Sequence, residues 1–103
     1  MRWIDAPVSG GSAGAAAGTL TIRAGGRAED VDRVRPVLAH LGQRGTRMGS
    51  VGAGQTTKLI NQVSVSCSMA MISEAFGLAA RAGLDVASLP KALAGGRADS
   101  TML

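Results

Sequence analysis

The chain has 103 residues, 46% of them hydrophobic, a formal charge of +4 and a pI near 10.7, enough for one small domain with a modest core. Its basic residues are scattered from Arg2 to Arg97, and only Trp3 and Phe76 offer rings for stacking on bases, which argues against a nucleic-acid partner. One cysteine, Cys67, and one histidine, His40, exclude an internal disulfide and a metal-ligand cluster and fit a reducing cytoplasm.

Met1 to Pro7 has neither the charged start nor the long apolar run of an export signal, so the expected location is cytoplasmic. Trp3-Ile4-Asp5-Ala6 predicts a short strand ended by Pro7, which donates no ladder hydrogen bond. Val8-Ser9-Gly10-Gly11-Ser12-Ala13-Gly14 predicts a loop of glycine and small polar residues. Its successive N–H groups can form an anion nest with the Ser9 hydroxyl beside them, or the segment is simply a flexible connection. Gly18 to Ala24 alternates polar and apolar residues and reads as a strand, which Gly25-Gly26 ends.

Val31, Val34, Leu38 and Leu41 recur at helical spacing, with Glu29, Asp30 and Asp32 in the first turn, where the helix dipole favours acids. Pro36 is expected to kink or restart this helix, and Gly42 to stop it. His40 reads as a surface residue at its end. Arg44 to Gly49 is a short strand candidate, after which Ser50 is placed to cap a helix running from about residue 52 to 82. That helix is apolar or small nearly all round its middle, as a helix buried on several sides would be. Met69, Met71 and Cys67 belong to that filler. A chain this short has little to surround it. The uncharged run Leu59 to Ser73 falls short of a membrane span and carries Asn61, Gln62 and serines, so no membrane is expected. Beyond Gly83, Leu84-Asp85 predicts a loop and cap for a last helix through Leu93, which Pro90 either kinks or confines to a start near Leu89.

The start of the long helix holds the densest chemistry: Gly52-Ala53-Gly54-Gln55-Thr56-Thr57-Lys58-Leu59-Ile60-Asn61. Lys58 and Asn61 are three apart and share a helix face, so both can reach one ligand. Apolar neighbours Leu59, Ile60 and Val63 suggest partial desolvation, which disfavours the charged form of a lysine and suits proton transfer. The alternative is an ordinary surface lysine near a helix start.

Three segments together resemble one family. Asp5-Ala6-Pro7-Val8-Ser9-Gly10-Gly11 is similar to the substrate-binding signature of the β-hydroxyacid dehydrogenases, the group that includes 3-hydroxyisobutyrate dehydrogenase and tartronate semialdehyde reductase. Ala17-Gly18-Thr19-Leu20-Thr21-Ile22 follows at the family's distance, and the segment from Gly52 to Gln62 is similar to its catalytic segment. The resemblance covers essentially the whole chain. It implies an NAD(P)-dependent oxidoreductase acting on a small 3-hydroxy acid or the corresponding semialdehyde. Lys58 would be the general acid/base, taking the hydroxyl proton as hydride leaves for the nicotinamide. Asn61 would orient the substrate, although Gln62 stands where some relatives carry this amide. Ser9, Gly10 and Gly11 would hold the substrate carboxylate.

The same resemblance implies an α/β fold: residues 1–49 as the C-terminal part of a Rossmann-type NAD(P)-binding domain, and residues 50–103 as the start of an all-α domain of the 6-phosphogluconate dehydrogenase C-terminal type. The long helix would lie between domains and against a second copy, making a homo-oligomer. A Gly-x-Gly-x-x-Gly turn is not found, since Gly10-Gly11-Ser12-Ala13-Gly14 has the wrong spacing. The cofactor-binding residues therefore stay unassigned, no metal is expected, and the chain reads as a central slice of such an enzyme. A non-catalytic truncated remnant that at most associates through the helix is one alternative. An imine reductase-like relative is another, against which Lys58 argues.

Overall fold

The alternation in Leu20 to Ala24 produces the central strand of a three-stranded sheet. The computed structural model describes residues 1–103. In chain order these form β1 (Val8–Ser9), α1 (Gly11–Ala17), β2 (Leu20–Gly25), α2 (Ala28–Leu38), β3 (Gly42–Gly49), α3 (Ala53–Arg81), a 3-10 turn (Val86–Ser88) and α4 (Leu89–Leu93). The sheet order is β1-β2-β3. β1 runs antiparallel to β2, pairing Val8 with Ile22 and Ser9 with Thr21. β3 runs parallel to β2, which requires a crossover, and α2 supplies it. The fold class is α/β, as expected.

Leu20, Ile22 and Ala24 of β2 are buried with Val31 of α2, and Ile22 and Val31 are each only 1% exposed. Alternation puts Thr21 and Arg23 on the opposite face of the strand. α2 packs on β2 and β3. Its buried Asp30 is paired with Arg2 at 3.5 Å and Arg27 at 3.8 Å.

Three local expectations shift. The strand expected over residues 3–6 is only a single bridge between Asp5 and Gly25. The paired strand comes after Pro7, whose carbonyl accepts from the Arg23 N–H at 3.1 Å; the proline lies on the sheet's edge, where a missing N–H costs little. The glycine loop expected over residues 8–14 instead opens with β1 and turns at Gly10 into α1, because Ala13, Ala15, Ala16 and Ala17 are strong helix formers. Pro36 sits inside α2 near its end and the helix stops at Leu38 without restarting.

Two compact units make up the chain, Met1–Asn61 and Gln62–Leu103. α3 spans 29 residues without a break, so the helix is longer than its uncharged run and meets the length and apolar content of a membrane span. Lys58, Glu74 and Arg81 interrupt it. The burial expected for its middle is not found within the chain: Val63, Met69, Met71 and Leu78 are exposed, as is Cys67. In the second unit, Asp85 accepts from the Ala87 N–H at 3.1 Å and starts the 3-10 turn that leads into α4. An apolar cleft of about 260 Å³ lies there, lined by Met71, Ile72, Phe76, Leu89, Leu93 and Leu103 among others.

Candidate active site

The position of α3 is set by a carboxylate from the far end of the chain. Asp5 is held to β2 by two backbone hydrogen bonds with Gly25, of 3.0 and 2.7 Å. From there its side chain reaches the first turn of α3. The Gly52 N–H donates to Oδ1 at 2.6 Å and the Gln55 N–H to Oδ2 at 2.8 Å. Asp5 thus performs the capping expected of Ser50, satisfying N–H groups that have no partner inside the helix. Burial pushes the Asp5 carboxyl up, but the N–H groups of Gly52, Gln55 and Gly54 pull further the other way, so it stands below the ordinary carboxylate range.

Two glycines permit this approach. A Cβ at Gly54 would collide with the Arg23 carbonyl oxygen, and one at Gly25 would meet the Asp5 carboxylate and the Gly54 nitrogen. Helix and strand therefore touch backbone to backbone, and Lys58 lies one turn further along α3.

At that turn four side chains from three elements converge. Ser9 lies on β1 and Arg23 on β2. The register pairs Ser9 with Thr21, so Ser9, Thr21 and Arg23 point to the same face. Lys58 and Asn61 descend from α3. Lys58 Nζ donates to Ser9 Oγ at 3.1 Å, and Arg23 Nη1 donates to the same oxygen at 2.8 Å. Arg23 Nη2 donates to Asn61 Oδ1 at 3.4 Å. All four residues are partly buried. Ser9 accepts twice, which leaves its own hydroxyl hydrogen to donate. The chain's ion pairs join Arg2, Arg27 and Arg35 to Asp30, Glu29 and Asp32, so neither Arg23 nor Lys58 has a carboxylate partner within the chain. Two cations around one half-buried hydroxyl form a local positive field suited to a small anion.

Sequence reasoning named Ser9, Gly10, Gly11, Lys58 and Asn61, and the fold brings Ser9, Lys58 and Asn61 together. Gly10 and Gly11, directly after Ser9, both have positive φ, 130° and 62°, and nothing lies within 4 Å of where a Gly11 Cβ would be. The Gly11 backbone is open to a ligand, whereas a Cβ at Gly10 would press on the Leu20 side chain. Gln62 is exposed, one step of about 100° round the helix from Asn61. Arg23 was missed. Its place on the polar face of an alternating strand was readable, but its neighbours depend on the pairing of β1 with β2. The donor set suits an acid. It does not suit a dinucleotide pyrophosphate, which needs a glycine turn opening a helix: the turn after β1 has the wrong glycine spacing and leads into only seven helical residues.

Comparison with known proteins bears on the family of the chain. Residues 1–66 match the family profile described as the NAD binding domain of 6-phosphogluconate dehydrogenase. Residues 52–103 match the NAD-binding domain of NADP-dependent 3-hydroxyisobutyrate dehydrogenase. The 2-hydroxy-3-oxopropionate reductase of Escherichia coli K12 is 44% identical over 101 residues, 98% of this chain and 35% of that protein. The mitochondrial 3-hydroxyisobutyrate dehydrogenase of Drosophila melanogaster is 46% identical over 84 residues, 82% of this chain and 26% of that one. The solved structure of Mycobacterium tuberculosis 3-hydroxyisobutyrate dehydrogenase with L-serine superposes with a TM-score of 0.87 at 39% identity, covering 94% of this chain and 33% of that one. The chain spans between about a quarter and a third of the length of the curated relatives it matches.

Proposed function

Because the chain belongs to the β-hydroxyacid dehydrogenase family, we propose that it carries the acid-binding and proton-transfer side of an NAD- or NADP-dependent 3-hydroxy acid dehydrogenase. What supports this reading is the 3.1 Å approach of Lys58 Nζ to Ser9 Oγ, between residues 49 positions apart. In it, Ser9 and the backbone N–H groups of Gly10 and Gly11 hold the substrate carboxylate. The unprotonated Lys58 amine takes the proton from the substrate hydroxyl during oxidation, and the ammonium returns it to the carbonyl oxygen in reduction. Asn61, one turn on, hydrogen-bonds the substrate and fixes its orientation. The nicotinamide, when bound, supplies the hydride exchange.

Residues 1–49 then serve as the C-terminal part of the Rossmann-type cofactor domain, and residues 50–103 open the helical domain. The exposed apolar residues of α3 provide the contact through which copies of the enzyme assemble in the cytoplasm.

The test places this segment in the frame of the E. coli reductase, whose matching third it replaces. Lys58→Ala is expected to lower kcat by roughly two to four orders of magnitude, the range for a positioned proton-transfer group. Lys58→Arg is expected to be nearly as inactive, because arginine keeps the charge but does not give up its proton near neutral pH. A Lys58→Arg enzyme that keeps most of its activity would show that the lysine only anchors an anion.

A further inference from the structure

We propose that Arg23 determines specificity, and that the hydroxy acid this site takes carries a second carboxylate. This rests on the reading above, in which Ser9, Gly10 and Gly11 hold the first carboxylate and Lys58 meets the hydroxyl. Those assignments use one positive charge and leave another. Arg23 rises from the polar face of β2 into the same site, where its guanidinium touches Ser9 and Asn61 and has no ion pair. Of its five N–H donors two are engaged, and the bond to Asn61, at 3.4 Å, is long enough to be traded easily. A planar guanidinium fork beside an open backbone is suited to a carboxylate in two-point contact.

Charge balance points the same way. In the reductive direction Lys58 is the ammonium, so it and Arg23 are two cations that repel each other across one half-buried hydroxyl, and a singly charged acid relieves only part of that repulsion. A dianion relieves all of it. If Arg23 served only to position Ser9, a neutral donor would do as well, and a glutamine there would change nothing about which acid is preferred.

The probes are 3-hydroxyisobutyrate and 2-(hydroxymethyl)succinate, which share one hydroxymethyl acid frame and differ by a carboxylate on the methyl carbon. Each is titrated into the 103-residue chain by calorimetry at fixed ionic strength. The diacid is expected to bind at least about tenfold more tightly, the worth of one good charge-assisted contact. Arg23→Met and Arg23→Gln are expected to bring the ratio close to one; should the methionine variant fail to fold, the glutamine variant decides. Equal binding of the two acids by the unaltered chain overturns the inference and leaves the acid site standing. A diacid preference that survives substitution of Arg23 also overturns it. Binding of neither acid removes the acid-site reading itself, and the inference with it.

Discussion

Between Met1 and Asn61, Leu20, Ile22, Ala24 and Val31 are buried, three of them to 1% exposure; between Gln62 and Leu103 the one buried apolar residue is Ala79, while Met69, Met71 and Leu78 are 57, 59 and 63% exposed. Yet α3 passes through both units without a break. The difference lies in what each unit offers the helix. The first has a sheet whose alternating face can be covered by α2. The second has one long helix, a 3-10 turn and the five-residue α4, too little surface to cover a helix that is apolar nearly all round. A continuous helix is therefore no sign of a continuous core, and the candidate site sits where the core is closed.

That contrast can be broken most strongly at its buried end. Ile22→Ala removes most of a fully buried side chain next to Val31 and is expected to cost about 2–5 kcal/mol, read from urea unfolding followed by circular dichroism. A loss below about 1 kcal/mol would show that the first unit is no better packed than the second.

Asp5→Asn acts at the junction of β2 and α3. It leaves one of two acceptors facing the helix and is expected to cost about 0.5–2 kcal/mol. The pH dependence has a definite sign. The folded Asp5 carboxyl is held below its ordinary value, so the unfolded state binds its proton more readily. The stability this contributes is full above the unfolded value of about 4 and is lost as pH falls through the lower, folded value. An acid titration of the unfolding midpoint should be flatter in that window for Asp5→Asn than for the unaltered chain. Equal slopes would mean that the cap carries no charge-dependent stability.

The smallest effect belongs to the exposed end. Met71→Ser is expected to change folding stability by less than about 0.5 kcal/mol, while reducing self-association measured by sedimentation, because it removes apolar surface that a lone chain leaves uncovered. A destabilisation as large as that of Ile22→Ala would place Met71 in a closed core.

Much of this organisation was legible in the residues. β2 declared itself through its period of two, α3 through the lack of proline between Gly52 and Ala82, and the shared face of Lys58 and Asn61 through a spacing of three. What stayed hidden is pairing across the chain. No local pattern says that Ser9 stands opposite Thr21, and without that register Arg23 is one more scattered arginine. α1 was obscured for another reason: Gly11, Ser12 and Gly14 masked four alanines whose helix propensity prevailed. The carboxylate of Asp5 was visible within its motif, but its partners lie 47 and 50 residues away. The exposed state of Cys67 likewise reflects what surrounds α3, which composition does not reveal.

That long-range clasp also orders events in time. Most helices begin at a cap encoded beside them, so the first turn can form while the chain is still open. Here the cap belongs to residue 5, and it reaches the helix only after residues 5 and 25 have bridged and the intervening loop has closed. Contacts of such sequence separation form slowly, because loop-closure entropy must be overcome before they contribute. Nucleation of α3 at its lysine-bearing end is thus tied to assembly of the sheet. The meeting of Lys58 with Ser9 and Arg23 therefore depends on strands that are in register.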